Sequence, residues 1–116
     1  MAELDELKKR LRDFAAHRDW QQFHTPKNLA MGVAIEAAEI MEHFLWCTGE
    51  ESYSLPKEKH AEVANEIADV LMYLLGLGRA LDIDIIAAAR DKLVMNREKY
   101  PVEKAKGRST KYVDLD

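Results

Sequence analysis

Two stretches, Leu29–Met41 (LAMGVAIEAAEIM) and Val63–Gly78 (VANEIADVLMYLLGLG), decide how this chain folds. Each is apolar on most sides of a helix, and each is interrupted by one acidic pair. In the first the only charged residues are Glu36 and Glu39; in the second they are Glu66 and Asp69. The i,i+3 spacing puts both members of a pair on one helix face, about 5–6 Å apart at Cβ. Neither pair has a Lys or Arg one turn away on its own helix to neutralise it. Burying bare carboxylates together is costly, because like charges repel strongly at low dielectric. A cation removes that cost. Hard divalent ions such as Mg²⁺ take oxygen ligands, keep several waters and leave positions open for phosphate oxygens. The pattern therefore predicts a four-carboxylate Mg²⁺ site between two antiparallel helices.

Working outward, Leu4, Leu7, Leu11 and Phe14 recur at helical intervals, so a first helix is expected over roughly residues 3–18. Arg18–His24, RDWQQFH, reads as a polar and aromatic connector. Thr25 and Pro26 form an N-cap and first-turn pair opening a second helix, expected to reach about Cys47. Thr48–Leu55 is rich in turn formers, and Pro56 stands at the head of a third helix running to about Ala80. After a break at Leu81–Asp84, with Asp82 or Asp84 as the cap, a fourth helix ends before Pro101. Residues 102–116 are a polar tail with weak structural signals. No run alternates with period two. The expectation is an all-α, four-helix bundle-like fold in one domain spanning residues 1–116. Helices apolar all round must be covered on several sides. A 116-residue chain supplies too few helices for that, so a homo-oligomer, dimer or tetramer, is expected.

Composition narrows the function. The formal net charge is −4, which gives no support to a nucleic-acid surface. The longest apolar runs carry acids, so no membrane span is expected. The first residues are charged and amphipathic rather than a signal peptide, and Cys47 is the only cysteine. These features point to a cytoplasmic protein with no internal disulfide and no cysteine-based metal site.

Further residues group around the acids. Glu62, Glu66, Asp69 and Tyr73 form one stripe, with Glu62 read as exposed and the Tyr73 hydroxyl available to a phosphate. His43 falls one turn after Glu39 and reads as a structural histidine. Trp20, Phe23, His24, Phe44 and Trp46 are an aromatic set that packs as core or stacks a flat ligand such as a nucleobase. Lys92, Asn96, Lys99 and Tyr100 share one face near the end of the fourth helix. That face complements the helix dipole or binds phosphate. Lys106, Arg108 and Lys111 in the tail are placed to close over an anion. Two alternatives stand beside the enzyme reading. A di-iron or di-manganese bundle normally carries Glu-x-x-His twice, and no Glu here has a His three residues later. A non-catalytic helical module would use the acids only to specify helix pairing.

The order of the blocks resembles a known family. Glu-x-x-Glu, 26 intervening residues and Glu-x-x-Asp resemble the all-α MazG-like nucleotide pyrophosphohydrolases. RDWQQFHTPKNL, FLW, EIADVLMYL, KLVMNREKYP and GRSTKY bring the likeness closer to the dCTP pyrophosphatase branch, over roughly residues 14–114. The resemblance implies Mg²⁺ on Glu36, Glu39, Glu66 and Asp69. It implies a base and sugar surrounded by Trp20, His24, Trp46 and Tyr73. It also implies contacts from Lys92, Asn96, Lys99 and Tyr100 to the triphosphate, or to the nucleotide of a neighbouring subunit. The reaction implied is cleavage of a nucleoside triphosphate, dCTP or a modified dCTP, to the monophosphate and pyrophosphate, in the role of nucleotide-pool sanitation. Where the family often has GEVGEL, this chain has IEAAEI; Ala37 and Ala38 preserve close helix approach. The loop Thr48–Leu55 is short and unlike its relatives.

Overall fold

Helix α1 (Ala2–His17) leads into α2 (Pro26–Glu42), α3 (Lys57–Ala80) and α4 (Ile85–Lys99) in a computed structural model that describes residues 2–116. A four-residue helix, α5 (Val102–Ala105), follows. Single 3₁₀ turns lie at Gln21–Phe23, Glu51–Tyr53 and Tyr112–Asp114, and no strand occurs among the described residues. The all-α expectation holds. The chain groups into two compact units, Met1–Asp82 and Ile83–Asp116.

In the first unit α2 and α3 pack along their lengths as an antiparallel pair. Leu29 meets Gly76, Gly32 meets Tyr73, and His43 meets Glu62 and Glu66, so partner numbers run in opposite directions. The closest approach is at Gly32. A Cβ there would lie 2.6 Å from Cδ1 and 2.8 Å from Cζ of the Tyr73 ring. Glycine at this position lets the tyrosine ring lie against the α2 backbone. Helix α1 turns Leu4, Leu7 and Leu11 inward as half-buried residues and packs on α3. Ala15, Leu29, Val63 and Leu75 are its buried hydrophobic residues, and no large side chain is completely enclosed among the described residues. The core is thin.

The helix ends follow local chemistry. Helix α1 stops in a Schellman motif. Asp19 adopts φ +54°, its N–H donates to the Ala16 carbonyl, and the Trp20 N–H donates to the Ala15 carbonyl. That turn folds Trp20 back onto Phe14, with ring centroids 5.6 Å apart and an edge-on geometry. The expected Thr25 cap forms, its Oγ1 accepting from the Asn28 N–H at 3.1 Å, with Pro26 in the first turn. Asp84 caps α4 by accepting from the Ala87 N–H at 3.1 Å, while Asp82 takes the left-handed position after α3. Helix α2 ends earlier than expected, at Glu42 rather than Cys47. The His43 and Phe44 amides bond to carbonyls three residues back, which tightens the last turn out of the α-helix. Beyond it, Thr48 and Glu51 form a reciprocal capping box. The Thr48 N–H donates to Glu51 Oε1 at 2.9 Å, and the Glu51 N–H donates to Thr48 Oγ1 at 3.1 Å.

In the second unit the tail is more ordered than its composition suggested. The Tyr112 N–H donates to Tyr100 Oη at 3.2 Å, the two rings stand edge-on at 6.0 Å, and Lys99 Nζ lies 4.7 Å from the Tyr112 ring centre. Residues after Gly107 are thereby held against the end of α4.

Gly32→Ala is expected to destabilise the protein by about 1–3 kcal/mol through overpacking against Tyr73. Denaturant unfolding of the Gly32→Ala, Tyr73→Ala and double variants tests this. The Gly32→Ala cost should largely disappear when the ring is absent, and an equal cost in both backgrounds would show that the contact is irrelevant.

Candidate active site

All four sequence-predicted acids fall on the facing surfaces of α2 and α3. Glu36 and Glu39 project from α2, and Glu66 and Asp69 from α3, each half-buried. Their fields overlap. A proton-sharing contact with Glu39 raises the Glu36 pKa above its ordinary value of 4.5. Desolvation and the negative charges of Glu39, Asp69 and Glu66 push in the same direction. The side chain as a whole is only half-buried, so the contact with Glu39 leads and burial comes second. Glu36 Oε2 is shielded from solvent with no hydrogen-bond donor, and the equally shielded Glu66 Oε2 has only the His43 ring beside it. A buried acceptor without a donor is costly.

His43, read from sequence as purely structural, lies between two of the α3 acids. Its Nε2 is 2.7 Å from Glu66 Oε2 and its Nδ1 is 3.7 Å from Glu62 Oε2. The first contact is within hydrogen-bonding distance and orients Glu66. The sequence signal was the i,i+4 step from Glu39, which puts His43 on the acidic face of α2. Glu62 keeps its side chain mostly in solvent, as expected.

No three His, Cys, Asp or Glu side chains converge as a ready-made metal cage among the described residues. The donor set is nevertheless suited to a hard cation: four carboxylates, all oxygen ligands, with the buried Glu36 Oε2 lacking any partner.

Beside the acids, α1, the Trp20–His24 connector and α3 enclose a cavity of about 250 Å³. Trp20, His24, Asp69 and Tyr73, four of the sequence-predicted site residues, all line it. Phe14 braces Trp20, and the Arg18 guanidinium stacks 3.7 Å from the centre of the Phe14 ring. The cavity thus offers flat aromatic walls with one metal-type carboxylate at its edge. Trp46 does not take part; it is 95% exposed and follows the early end of α2. Lys92, Asn96, Lys99 and Tyr100 share one face of α4 in the second unit, where Lys99 and Tyr100 engage Tyr112. Sequence reading missed Lys8, Arg12 and Arg79 as cavity residues. They sit on helices whose polar faces looked merely solvated.

Comparison with known proteins gives the same direction. Residues 32–115 match the model of the MazG-like family. The chain belongs to the MazG-like family. It is 37% identical to dCTP pyrophosphatase 1 of Homo sapiens over 116 residues, covering 97% of this chain and 67% of that protein. The Mus musculus dCTP pyrophosphatase 1 is 36% identical over 114 residues with the same coverage. A solved pyrophosphatase from Archaeoglobus fulgidus superposes with a TM-score of 0.81 and 42% identity, over 85% of this chain and 93% of the other. The chain is thus a hydrolase similar over nearly its whole length to nucleotide pyrophosphohydrolases. Enzymes of this family are generally metal-dependent. No helix among the described residues is long and apolar enough to cross a membrane.

The raised Glu36 pKa has a definite sign. The folded protein binds that proton more tightly than the unfolded chain, so stability falls as pH climbs from 4.5 through the raised value. In the metal-free protein the melting temperature is expected to drop across that window. Added Mg²⁺ should cancel the drop by favouring the charged carboxylates. Calorimetric scans at several pH values with and without Mg²⁺ measure it, and a flat profile in both would separate Glu36 from any ion.

Proposed function

We propose that this protein is a Mg²⁺-dependent pyrophosphohydrolase of deoxynucleoside triphosphates, dCTP or a modified dCTP foremost, acting in the cytoplasm to cleanse the nucleotide pool. The observation that carries this is four carboxylates on the facing surfaces of α2 and α3, with the buried Glu36 Oε2 lacking a donor, beside an aromatic-walled cavity that includes Asp69. The likeness to dCTP pyrophosphatases supports the base.

Glu36, Glu39, Glu66 and Asp69 would hold the ion. When bound, Mg²⁺ supplies Lewis-acid neutralisation of phosphate oxygens. The chain's own groups do the rest. Trp20 and Tyr73 stack and orient the base, with His24 at the wall of the same cavity. Glu39 orients the attacking water and accepts its proton on a carboxylate oxygen. Water adds across the bond between the α- and β-phosphates, which releases the monophosphate and pyrophosphate. The α4 face of Lys92, Asn96, Lys99 and Tyr100 is assigned to phosphate binding on the chemistry of its side chains. His43 holds Glu66 in place from the far side.

We also assign the protein to a homo-oligomer, a dimer or tetramer. Ile35 and Ile67 are 56% and 55% exposed, and Leu71, Leu74, Met31 and Met41 are exposed on the same two helices. Fully burying such a side chain stabilises by about 1.5–3 kcal/mol, so a second copy of the pair is a strong partner for these faces. Sedimentation at micromolar concentration should give a mass at least twice the 13.3 kDa of the chain; a monomer at all concentrations refutes the assignment.

Glu39→Gln and Asp69→Asn should each abolish Mg²⁺-dependent pyrophosphate release, by at least a hundredfold on the scale of lost electrostatic stabilisation. Helical content should persist. Pyrophosphate assays across deoxy- and ribonucleoside triphosphates, with circular dichroism as the folding control, decide the matter. Unchanged turnover in either variant would sink the assigned site.

A further inference from the structure

The cavity carries three cations that the proposed chemistry does not use. Lys8 and Arg12 stand one turn apart on α1, and Arg79 lies in the last turn of α3. None of the three has an ion pair or side-chain hydrogen bond among the described residues. Neighbouring cations on α1 are engaged: Lys9 pairs with Asp13 at 3.3 Å, and Arg18 donates to the Phe14 carbonyl at 3.1 Å. Like charges one helical turn apart repel; Asp5 stands three residues before Lys8 and Asp82 three after Arg79, whereas Arg12 has no acid one turn away on α1. Asp69 lines the same cavity, but ten residues along α3 from Arg79 is about 15 Å of helix. Along α3 the cavity lining thus runs from the Asp69 carboxylate to the Arg79 guanidinium, with Lys8 and Arg12 contributed by α1 and aromatic walls by Trp20 and Tyr73.

We infer that Arg12 and Arg79 read the edge of the base and set its identity, an inference that rests on the nucleotide reading above. With phosphates at the carboxylate end, a base stacked on Trp20 or Tyr73 turns its polar edge toward the arginines. A guanidinium is a rigid fork of donors with no acceptor, so it selects two adjacent acceptors. Cytosine offers O2 and N3 side by side. Thymine interposes the N3–H donor between its carbonyls, and adenine sets its amino donor beside N1 and N7. Guanine also has an acceptor pair, at O6 and N7, so the fork separates cytosine from thymine and adenine and not from guanine. Lys8 adds charge without a fork and serves the field rather than the reading.

The test compares the product monophosphates dCMP and dAMP, which share a phosphate and differ in the base. Titration calorimetry with Mg²⁺ present should give dCMP a preference of about tenfold or more in the wild type, the scale of one good bidentate pair. Arg12→Ala and Arg79→Ala should collapse that ratio by weakening dCMP and leaving dAMP nearly unchanged. Arg12→Lys keeps the charge and loses the fork, so it should not restore the ratio. Both arginines are exposed, and circular dichroism checks that the variants fold. A ratio unchanged in the variants, or absent in the wild type, overturns the inference. Equal weakening of dCMP, dAMP and inorganic tripolyphosphate also overturns it, because the cations would then be gripping phosphate. Failure of the enzyme reading shows separately, as no pyrophosphate release from any triphosphate, since the monophosphate ratio needs no turnover.

Discussion

Four carboxylates held on the facing surfaces of two tightly packed helices are the constraint around which this structure is arranged. Glu36, Glu39, Glu66 and Asp69 repel one another, as the upward shift of Glu36 records. They stay together because contacts on either side of them fix the helix pair. Leu29 on Gly76 and Gly32 under Tyr73 clamp one end, while His43 against Glu66 holds the other. Separating the acids means unpacking α2 from α3. The apolar contacts therefore hold a geometry that the polar groups alone would abandon, and a site mounted on helices keeps its ligands better oriented than one mounted on loops.

Much of this was legible in the chain. The 3.6-residue period of the two apolar stretches located α2 and α3, and the i,i+3 acids within them identified the face they share. Caps at Thr25 and Asp84 were readable because capping is a local hydrogen bond between residues three apart. Features made by contact between distant helices were not readable. Lys8 and Arg12 on α1 and Arg79 on α3 each have an ordinary solvated pattern, and only the packing of α1 on α3 makes them neighbours of Trp20 and Tyr73. His43 was read as a structural residue, and its contacts fit that reading; which acids of the opposite helix it meets was not readable. The end of α2 was misplaced by five residues because Phe44, Leu45 and Trp46 continue an apolar run while the backbone has already tightened.

The connector between α1 and α2 shows how a local rule produces a functional wall. A Schellman turn at Asp19 reverses the chain, and the hydrophobic contact that accompanies such turns here joins Phe14 and Trp20. The indole is thereby fixed by the fold of the helix end and not by the ligand. In the second unit a comparable economy appears. The segments NREKYP and GRSTKY, separated by five residues, meet through Tyr100, Tyr112 and Lys99. Two motifs that look independent along the chain are one small structure.

The thin core bears on the acids as well. With Ala15, Leu29, Val63 and Leu75 as its buried hydrophobic residues, the first unit draws little stability from its own interior. Repulsion among the acids of α2 and α3 then counts against a small net stability, since domains of this size are stable by only about 5–15 kcal/mol. Coverage of Ile35, Ile67 and Leu71 by another apolar surface and neutralisation of the four carboxylates act on the same helix pair. Each makes the other more effective. A pair pinned by apolar contacts keeps the acids on facing surfaces, and a cation among them would remove the repulsion that opposes the pairing. Assembly and ion binding are therefore expected to be positively coupled through α2 and α3, with no further moving part required.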